Sequence, residues 1–397
     1  MYPALPLQAK EYDKAYEAWS TTGAGAAFSL KAAGEDAAGA TQQLFSSYYG
    51  SSDYAATFIT ASIKGTAPYD TLGALSKAAS GADESDKARS ELATKGIALQ
   101  SLLMASLSSS AAAVQACVAK DKAAASAAVD KSWALFATDN GPIALSEKRC
   151  PQFNTCALSP SASAAERPAG ISSVNVRLLA AYKSMQTAAA AGDCAGLAAT
   201  QRLTEGLMVV PVIQGMLREA WEVDPSEGKL DATGKRINVG GKHVSDGFVE
   251  VCEGWAFTRA VLPMLNRCDA AVAKTIALNM DTIANGKHVA FGGFIKVVRE
   301  TEKVLKCLGV TCDDVKSMVD KVTKKPHWQA CPKAAEKTCP TCPTCPAAAK
   351  AAEEDEGGET LQVVLLFLVI ALIIGSHLMA PKPEEPKPVN EELKGLA

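Results

Sequence analysis

The sequence predicts an all-α protein, a duplicated helical-bundle ectodomain followed by one C-terminal transmembrane helix. Hydrophobic residues make up 48% of the 397 residues but aromatic residues only 6%, because much of the apolar content is alanine. Alanine has the highest helix propensity and loses no side-chain entropy on folding. Other apolar residues recur at spacings of three and four, which is typical of amphipathic helices. A chain of this length is expected to form two core-forming units.

The first helical unit is predicted to span residues 1–156. The stretch 24–61 has the pattern of an amphipathic helix, broken at Gly39 and at a turn of serine and tyrosine residues. Leucine and valine side chains between 92 and 118 share one face of a long helix. An Asn-Gly-Pro sequence ending at Pro142 stops the helix that follows.

The second helical unit is predicted to span residues 157–325, with a linker at 150–170 that is rich in proline, serine and alanine. Apolar residues between 203 and 221 share one helix face. Pro211 lies inside this pattern and is expected either to kink the helix or to mark its start, because proline lacks the backbone N–H. Two further helical stretches are expected, at 244–265 and at 269–304, and the second is expected to be interrupted near Gly286 and at Gly292 and Gly293.

The second unit is predicted to be a repeat of the first. ALQSLLMASL at 98–107 resembles VIQGMLREAW at 212–221, and VDKSWALF at 129–136 resembles VCEGWAFT at 251–258. The blocks occur in the same order in both units, so duplication explains them economically. Chance similarity between alanine-rich helices is the alternative.

The C-terminal part is predicted to contain a stalk, a membrane helix and a tail. Residues 326–359 form a stalk that is rich in cysteine and proline and ends in an acidic linker. The 22 residues at 360–381 contain no Asp, Glu, Lys or Arg, and as a helix they span roughly 33 Å, enough to cross a bilayer. Residues 382–397 form a polar tail, which argues against a lipid-anchor signal because such signals end in apolar residues.

Cysteine usage favours an oxidising compartment, because an even number of cysteines in the helical units fits a disulfide framework. These are Cys117, Cys150, Cys156, Cys194, Cys252, Cys268, Cys307 and Cys312. The N-terminus lacks the basic and apolar regions of a signal peptide. Two topologies are then possible. In the first, a signal peptide lies outside this sequence and the chain is a single-pass plasma-membrane protein with its main domain on the extracellular or periplasmic side. In the second, the chain is tail-anchored with a cytosolic domain. The cysteines favour the first orientation.

Four more cysteines lie in the stalk. Cys339, Cys342 and Cys345 have a metal-like spacing, with Cys331 upstream, but a zinc ribbon needs a second paired cluster and the stalk has none. Disulfides within one stalk or between two stalks are therefore expected, and the latter produce a homo-oligomer. A zinc site or a redox relay is the alternative.

Two function classes lack their sequence signatures. The net charge is −3, the isoelectric point is near 5.9 and no basic stripe is present, so no nucleic-acid partner is expected. The sequence contains no G-x-S-x-G, Walker, H-E-x-x-H or G-x-G-x-x-G motif. We therefore expect a protein that is not an enzyme.

One set of residues has the pattern of a metal site. His243, Asp246, Glu250 and Glu253 follow at spacings of three, four and three, so on a helix they fall within an arc of about 80°. An imidazole and three carboxylates suit iron, manganese or zinc. The solvated charged face of an ordinary amphipathic helix is the alternative.

Tyrosines form a second candidate set, in which Tyr54 and Tyr69 are metal ligands because phenolates bind Fe(III). Tyr48 and Tyr49 lie nearby in the sequence. Turn residues and half-buried core tyrosines have the same pattern, so a purely structural role is the alternative.

Several sequence blocks resemble one protein family. They are AYEAWS at 15–20, YYGSSDYA at 48–55, DKSWALFATDNGPIALSEKRCPQFNTC at 130–156 and EGWAFTRAVLPML at 253–265. In type and order they resemble the low-iron-inducible, iron-assimilating periplasmic proteins of green algae, over residues 12–316. The resemblance implies a secreted or cell-surface protein that binds iron and passes it to a transporter, but it assigns no ligand residue.

The expected function follows from these features together. The stalk and the membrane helix depart from the soluble members of that family and suggest tethering at the plasma membrane. We expect a membrane-anchored cell-surface protein that binds iron or a related transition metal and assists iron uptake, with the lipid bilayer and an iron transporter or reductase as partners. The alternative is a non-catalytic structural or interaction subunit of a membrane-associated assembly with no metal site.

Overall fold

A computed structural model of the chain describes one compact unit that falls within Met1–Lys333. The residues that it describes are 13–14, 17, 40–65, 82–138, 141–158, 170–224, 229–230, 236–237, 248–282, 292–319, 325–328 and 330–331. Most of them are helical, which confirms the predicted all-α class. The stalk beyond 331, the predicted membrane helix at 360–381 and the tail lie outside the described residues, as do His243, Asp246 and Tyr69.

The helices follow one another in two groups. Those before residue 160 are α1 (Ala40–Tyr49), α2 (Tyr54–Lys64), α3 (Ala82–Lys95), a π-helix (Gly96–Leu102), α4 (Leu103–Val118), α5 (Lys122–Phe136) and α6 (Pro142–Phe153). Those after it are α7 (Ser173–Ala191), α8 (Cys194–Glu222), α9 (Phe248–Cys268), α10 (Ala270–Met280), α11 (Gly293–Val304) and α12 (Cys312–Val315). Between α8 and α9, a two-residue strand β1 (Lys229–Leu230) pairs antiparallel with β2 (Arg236–Ile237).

Aspartates begin three of these helices. The carboxylates of Asp121, Asp193 and Asp269 accept hydrogen bonds from backbone N–H groups in the first turns of α5, α8 and α10. Such caps satisfy donors that have no partner within the helix. They explain why α8 and α10 can begin within two or three residues of the preceding helix.

Helix α8 is the centre of the fold. It packs against α4, α6, α7, α9 and α11. Every residue from Gly206 to Leu217 is buried, so the helix is enclosed all round rather than on the single face that the sequence pattern predicts. Pro211 lies inside α8 and does not mark a helix start.

Helices of the two predicted units share one large hydrophobic core. The helices that carry the similar sequence blocks are neighbours in each half, α4 with α5 and α8 with α9. Helices also pack across the halves, α5 with α7 and α4 with α8. The duplication itself stays a prediction.

A π-helix interrupts the long helix predicted between 92 and 118. All of its residues, Gly96–Leu102, are buried. A Cβ atom at Gly96 would lie 2.9 Å from side-chain atoms of both Phe58 and Ile59, so only glycine fits against α2 there. The wider turn of a π-helix changes the direction of the side chains that follow it, and such turns are frequent at functional sites.

One helical run in the described part of the chain, Asp86–Val118, is long and apolar enough to cross a membrane by length and composition alone. However, 78% of its apolar window is buried inside the fold. A core helix meets the same length and composition criteria, and this run packs as one.

Four disulfides connect the described helices, which confirms the expected framework in part. The pairs are Cys117–Cys194, Cys150–Cys156, Cys268–Cys307 and Cys312–Cys331. The first closes a separation of 77 residues between α4 and α8. By the chain-entropy relation a loop of that size contributes roughly 4.5 kcal/mol to stability.

The structure corrects the predicted framework at two cysteines. Cys252 forms no disulfide, because it faces an apolar cluster with Phe58 and Ile97 while the other described cysteines pair among themselves. Cys331, assigned to the stalk by the sequence, instead pairs with Cys312 and belongs to the folded unit. The stalk therefore retains three cysteines, an odd number.

Disulfide mapping under non-reducing conditions tests this arrangement. We expect the four pairs above and a thiol at Cys252 that is alkylated only after unfolding, because its side chain is fully buried. A Cys252→Ala variant should retain all four pairs. A peptide that links Cys252 to another cysteine, or Cys331 to a stalk cysteine, would contradict the structure.

Candidate functional site

Two glycines allow α8 and α9 to approach closely. A Cβ atom at Gly215 of α8 would lie 2.5 Å from the Phe257 ring of α9, and one at Gly254 of α9 would lie 3.0 Å from the Cβ of Glu219. Any larger residue at these two positions would push the helices apart. The close approach places carboxylates of both helices in one buried region.

A buried ion pair lies at the centre of this region. Arg149 of α6 donates to Glu219 across 3.0 Å, and both side chains are fully buried. Glu253 of α9 lies 3.8 Å from the same guanidinium group and 3.6 Å from Lys95, the last residue of α3. Charged side chains from α3, α6, α8 and α9 thus meet around Arg149.

Further contacts hold these basic groups in place. Arg218 pairs with Glu219 and with Glu222, both in α8. The Arg149 guanidinium lies 5.2 Å from the centre of the Phe257 ring, a distance at which cations are attracted to aromatic faces. Lys95 also pairs with Glu91 at 3.0 Å.

Carboxylates outnumber basic groups in this cluster, which we call the carboxylate cluster. Its acidic members are Glu91, Glu219, Glu222, Glu250 and Glu253, and its basic members are Lys95, Arg149 and Arg218. One carboxylate oxygen, Oε2, of each of Glu219, Glu222 and Glu250 is buried and accepts no hydrogen bond. Burial of an unpaired carboxylate oxygen is costly, so three together call for an explanation.

Protons can neutralise the surplus charge. Burial, together with the neighbouring charge of Glu219, raises the pKa of Glu222 to about 9. Burial also raises the pKa of Glu250 to about 7. With these two carboxyls protonated, the three remaining carboxylates balance the three basic groups.

Glu253 behaves differently from its neighbour Glu250. Burial alone would raise its pKa, but the charges of Lys95 and Arg149 outweigh burial and lower the pKa to about 2. Glu253 is therefore ionised and engaged by two basic groups. Its side chain is buried, so the alternative interpretation, the solvated charged face of an ordinary amphipathic helix, does not apply to Glu253.

The donor set suits a hard cation, but the described side chains do not enclose one. Carboxylate oxygens are preferred by magnesium, manganese, calcium and ferric ions. Among the residues that the structure describes, no group of three or more His, Cys, Asp or Glu side chains is arranged to hold a metal ion. A complete coordination sphere would need additional donors or a small movement of these side chains.

The structure brings together only some of the residues singled out in the sequence. Glu250 and Glu253 join the carboxylate cluster, whereas His243 and Asp246 precede α9 outside the described residues. Tyr54 packs elsewhere, stacked on Phe45 and Tyr49. Burial raises the pKa of Tyr54 well above its ordinary value, which disfavours a phenolate ligand in this arrangement.

Sequence reasoning missed Glu219 and Glu222, the members of the carboxylate cluster on α8. Their spacing of three equals that of Glu250 and Glu253, so each helix presents an E-x-x-E pair. The usable signal was the run GLMVVPVIQGML at 206–217, which is apolar apart from Gln214 and therefore typical of a buried helix. Charged residues that directly follow such a run are expected to be buried and paired.

Comparison of the chain with known protein families gives no match. Comparison with curated proteins and comparison with solved structures likewise give none.

Removal of the ionisable group at Glu222 should change how stability depends on pH. Glu222 has a raised pKa when folded, so it binds more protons in the folded than in the unfolded state between its ordinary value of 4.5 and about 9. Its contribution to stability is thus present below pH 4.5 and is lost as pH rises towards 9. We expect chemical denaturation to show that Glu222→Gln is progressively more stable than the wild type as pH rises.

Asp313→Asn is the matched control for this prediction, because Asp313 is an exposed carboxylate on α12. The control should follow the wild-type dependence on pH. If the stability difference between wild type and Glu222→Gln is constant from pH 5 to 9, the surplus charge is not located at Glu222.

Proposed function

We propose that this chain is a membrane-anchored cell-surface protein that binds iron or a related transition-metal cation in the carboxylate cluster and assists its uptake. The observation that carries the proposal is the set of three buried, unpaired carboxylate oxygens on Glu219, Glu222 and Glu250. A cation placed among them supplies the positive charge that the three basic side chains of the cluster do not.

The proposed ligands comprise glutamates of α8 and α9 and two further residues that precede α9 in the sequence. Glu219, Glu222 and Glu250 supply oxygen atoms from α8 and α9. In the sequence, Asp246 and His243 precede Glu250 by four and seven positions, close to one and two helical turns, and they are the further donors that the spacing predicts. Glu253 acts in this proposal as a positioning residue, because Lys95 and Arg149 already engage its carboxylate.

The cell-surface location has its own support. Four disulfides in one folded unit are typical of proteins that mature in an oxidising compartment. The uncharged stretch 360–381 is the proposed anchor in the lipid bilayer. Cysteines of a tail-anchored protein with a cytosolic domain would be kept reduced by the cytosol. The disulfides therefore favour the external orientation.

The uptake role rests on the resemblance to the iron-assimilating algal proteins. The proposed partners are an iron transporter or a reductase in the same membrane, and the proposal includes no catalysis and no nucleic acid. The odd number of cysteines left in the stalk, Cys339, Cys342 and Cys345, favours one disulfide between two chains. A disulfide-linked homo-oligomer is thus part of the proposal.

Metal-dependent stability of the purified full-length chain tests this function. We expect Fe(II) under anaerobic conditions, or Fe(III), to raise the free energy of unfolding by about 2.7 kcal/mol when the free metal is at 100 times its dissociation constant. The double variant Glu222→Gln and Glu250→Gln should lose this response while folding normally, because glutamine resembles the protonated carboxyl. Thermal unfolding with and without metal provides the measurement.

Two controls locate the effect. Asp313→Asn should respond to iron as the wild type does, and so should a chain in which Cys339, Cys342 and Cys345 are serine. Loss of the response in the serine variant would place the metal in the stalk. An equal response in the Glu222 and Glu250 double variant, or none in the wild type, would contradict the proposed site.

A further inference from the structure

A second group of side chains, distinct from the carboxylate cluster, surrounds Arg259 of α9. The guanidinium of Arg259 lies 4.5 Å from the centre of the Tyr49 ring and 4.9 Å from that of Trp255. Trp255 precedes Arg259 by one helical turn and stacks on Phe58 at 5.5 Å. The Tyr49 ring packs edge to face against Tyr48 at 4.9 Å.

The position of Arg259 is held firmly. The Tyr49 hydroxyl donates a hydrogen bond to the backbone carbonyl of Arg259, which fixes the ring over the guanidinium of the same residue. Two aromatic faces restrict the side chain further, each contributing about 0.5–2 kcal/mol of cation–π attraction. Much of the entropy that a flexible arginine loses on binding is therefore already lost on folding.

Despite this ordering, the charge of Arg259 is not neutralised by the described part of the chain. No described carboxylate forms an ion pair with it, in contrast to Arg149, Arg177, Arg218, Arg267 and Arg299. Its Nε is buried and donates no hydrogen bond. The side chain as a whole is only half-buried, so solvent reaches it.

A second donor in the same aromatic group lacks a partner. The hydroxyl of Tyr54 is buried without a hydrogen bond, and its ring stacks on Tyr49 at 4.9 Å. Buried polar groups in proteins are almost always hydrogen-bonded, so the Tyr54 hydroxyl and the Arg259 Nε are two donors in this aromatic group that a ligand can satisfy.

We propose that Arg259, with Tyr49 and Trp255 holding it, is a binding site for an oxyanion, the carboxylate or phosphate group of a small ligand. A guanidinium offers parallel N–H donors that match two oxygens of such a group, and the planar fork is the reason that arginine is preferred over lysine for this contact. The half-buried faces of Tyr48 and Trp255 border Arg259 and can pack against the carbon skeleton of the ligand.

Titration of the full-length chain with two probes, inorganic phosphate and malonate at constant ionic strength, tests the proposal. We expect saturable binding of at least one probe by calorimetry. Binding of phosphate alone identifies a phosphorylated ligand, and binding of malonate alone identifies a carboxylate ligand. The titrations contain no transition metal, so their outcome is independent of cation binding in the carboxylate cluster.

Substitutions locate the probe. Arg259→Lys keeps the charge but not the planar fork, and it should weaken binding at least about tenfold. Tyr49→Phe keeps the ring but removes the bond to the backbone of Arg259, and it should weaken binding to a smaller extent. Arg202→Lys, at an exposed arginine of α8, is the matched control and should bind as the wild type does.

The proposal is overturned if neither probe binds saturably to the wild type. It is equally overturned if Arg259→Lys and Tyr49→Phe both bind the probe with wild-type affinity, since the anion would then lie elsewhere. Unfolding temperatures of the variants, measured without probe, show that the substituted chains are folded.

Discussion

Arg149 and Glu219 can remain fully buried because each neutralises the other, and this ion pair ties α6 to the central helix α8. Removal of one member of such a pair leaves an uncompensated buried charge, at a cost of about 3–5 kcal/mol. Glu253 and Lys95 extend the pair to α9 and α3. Four helices therefore depend on one electrostatic arrangement. The charges meet only when α8 and α9 lie close together, and Gly215 and Gly254 allow this close approach.

The same arrangement creates the candidate site. Three basic groups balance three carboxylates, and Glu222 and Glu250 are left with a charge that either protons or a cation must neutralise. A fold built only for stability would not need two extra buried carboxyl groups, because each carries a desolvation cost. Their presence beside an ion-pair network that leaves Oε2 of Glu219 without a hydrogen bond is the physical reason to connect this region with cation binding.

The sequence predicted the parts of the fold that depend on local pattern. Composition and apolar spacing predict the break between α1 and α2. They also predict the helical runs around Leu103, Leu207 and Val261. They do not predict the π-helix, because no local pattern marks the close packing of Gly96 against Phe58 and Ile59. Nor could spacing show that Cys331 pairs with Cys312, since disulfide partners are set by tertiary structure. Helical periodicity identified Glu250 and Glu253. Glu219 and Glu222 lie on another helix, and periodicity within one segment cannot show that two helices lie side by side.

A crystal structure of the chain soaked with iron, with anomalous scattering measured at the iron edge, is the most direct test of the proposed cation site. We expect an anomalous peak within coordination distance of carboxylate oxygens of Glu222 and Glu250, with Glu253 still paired to Lys95 and Arg149. A peak at the stalk cysteines, or no peak between α8 and α9 at full loading, would contradict it.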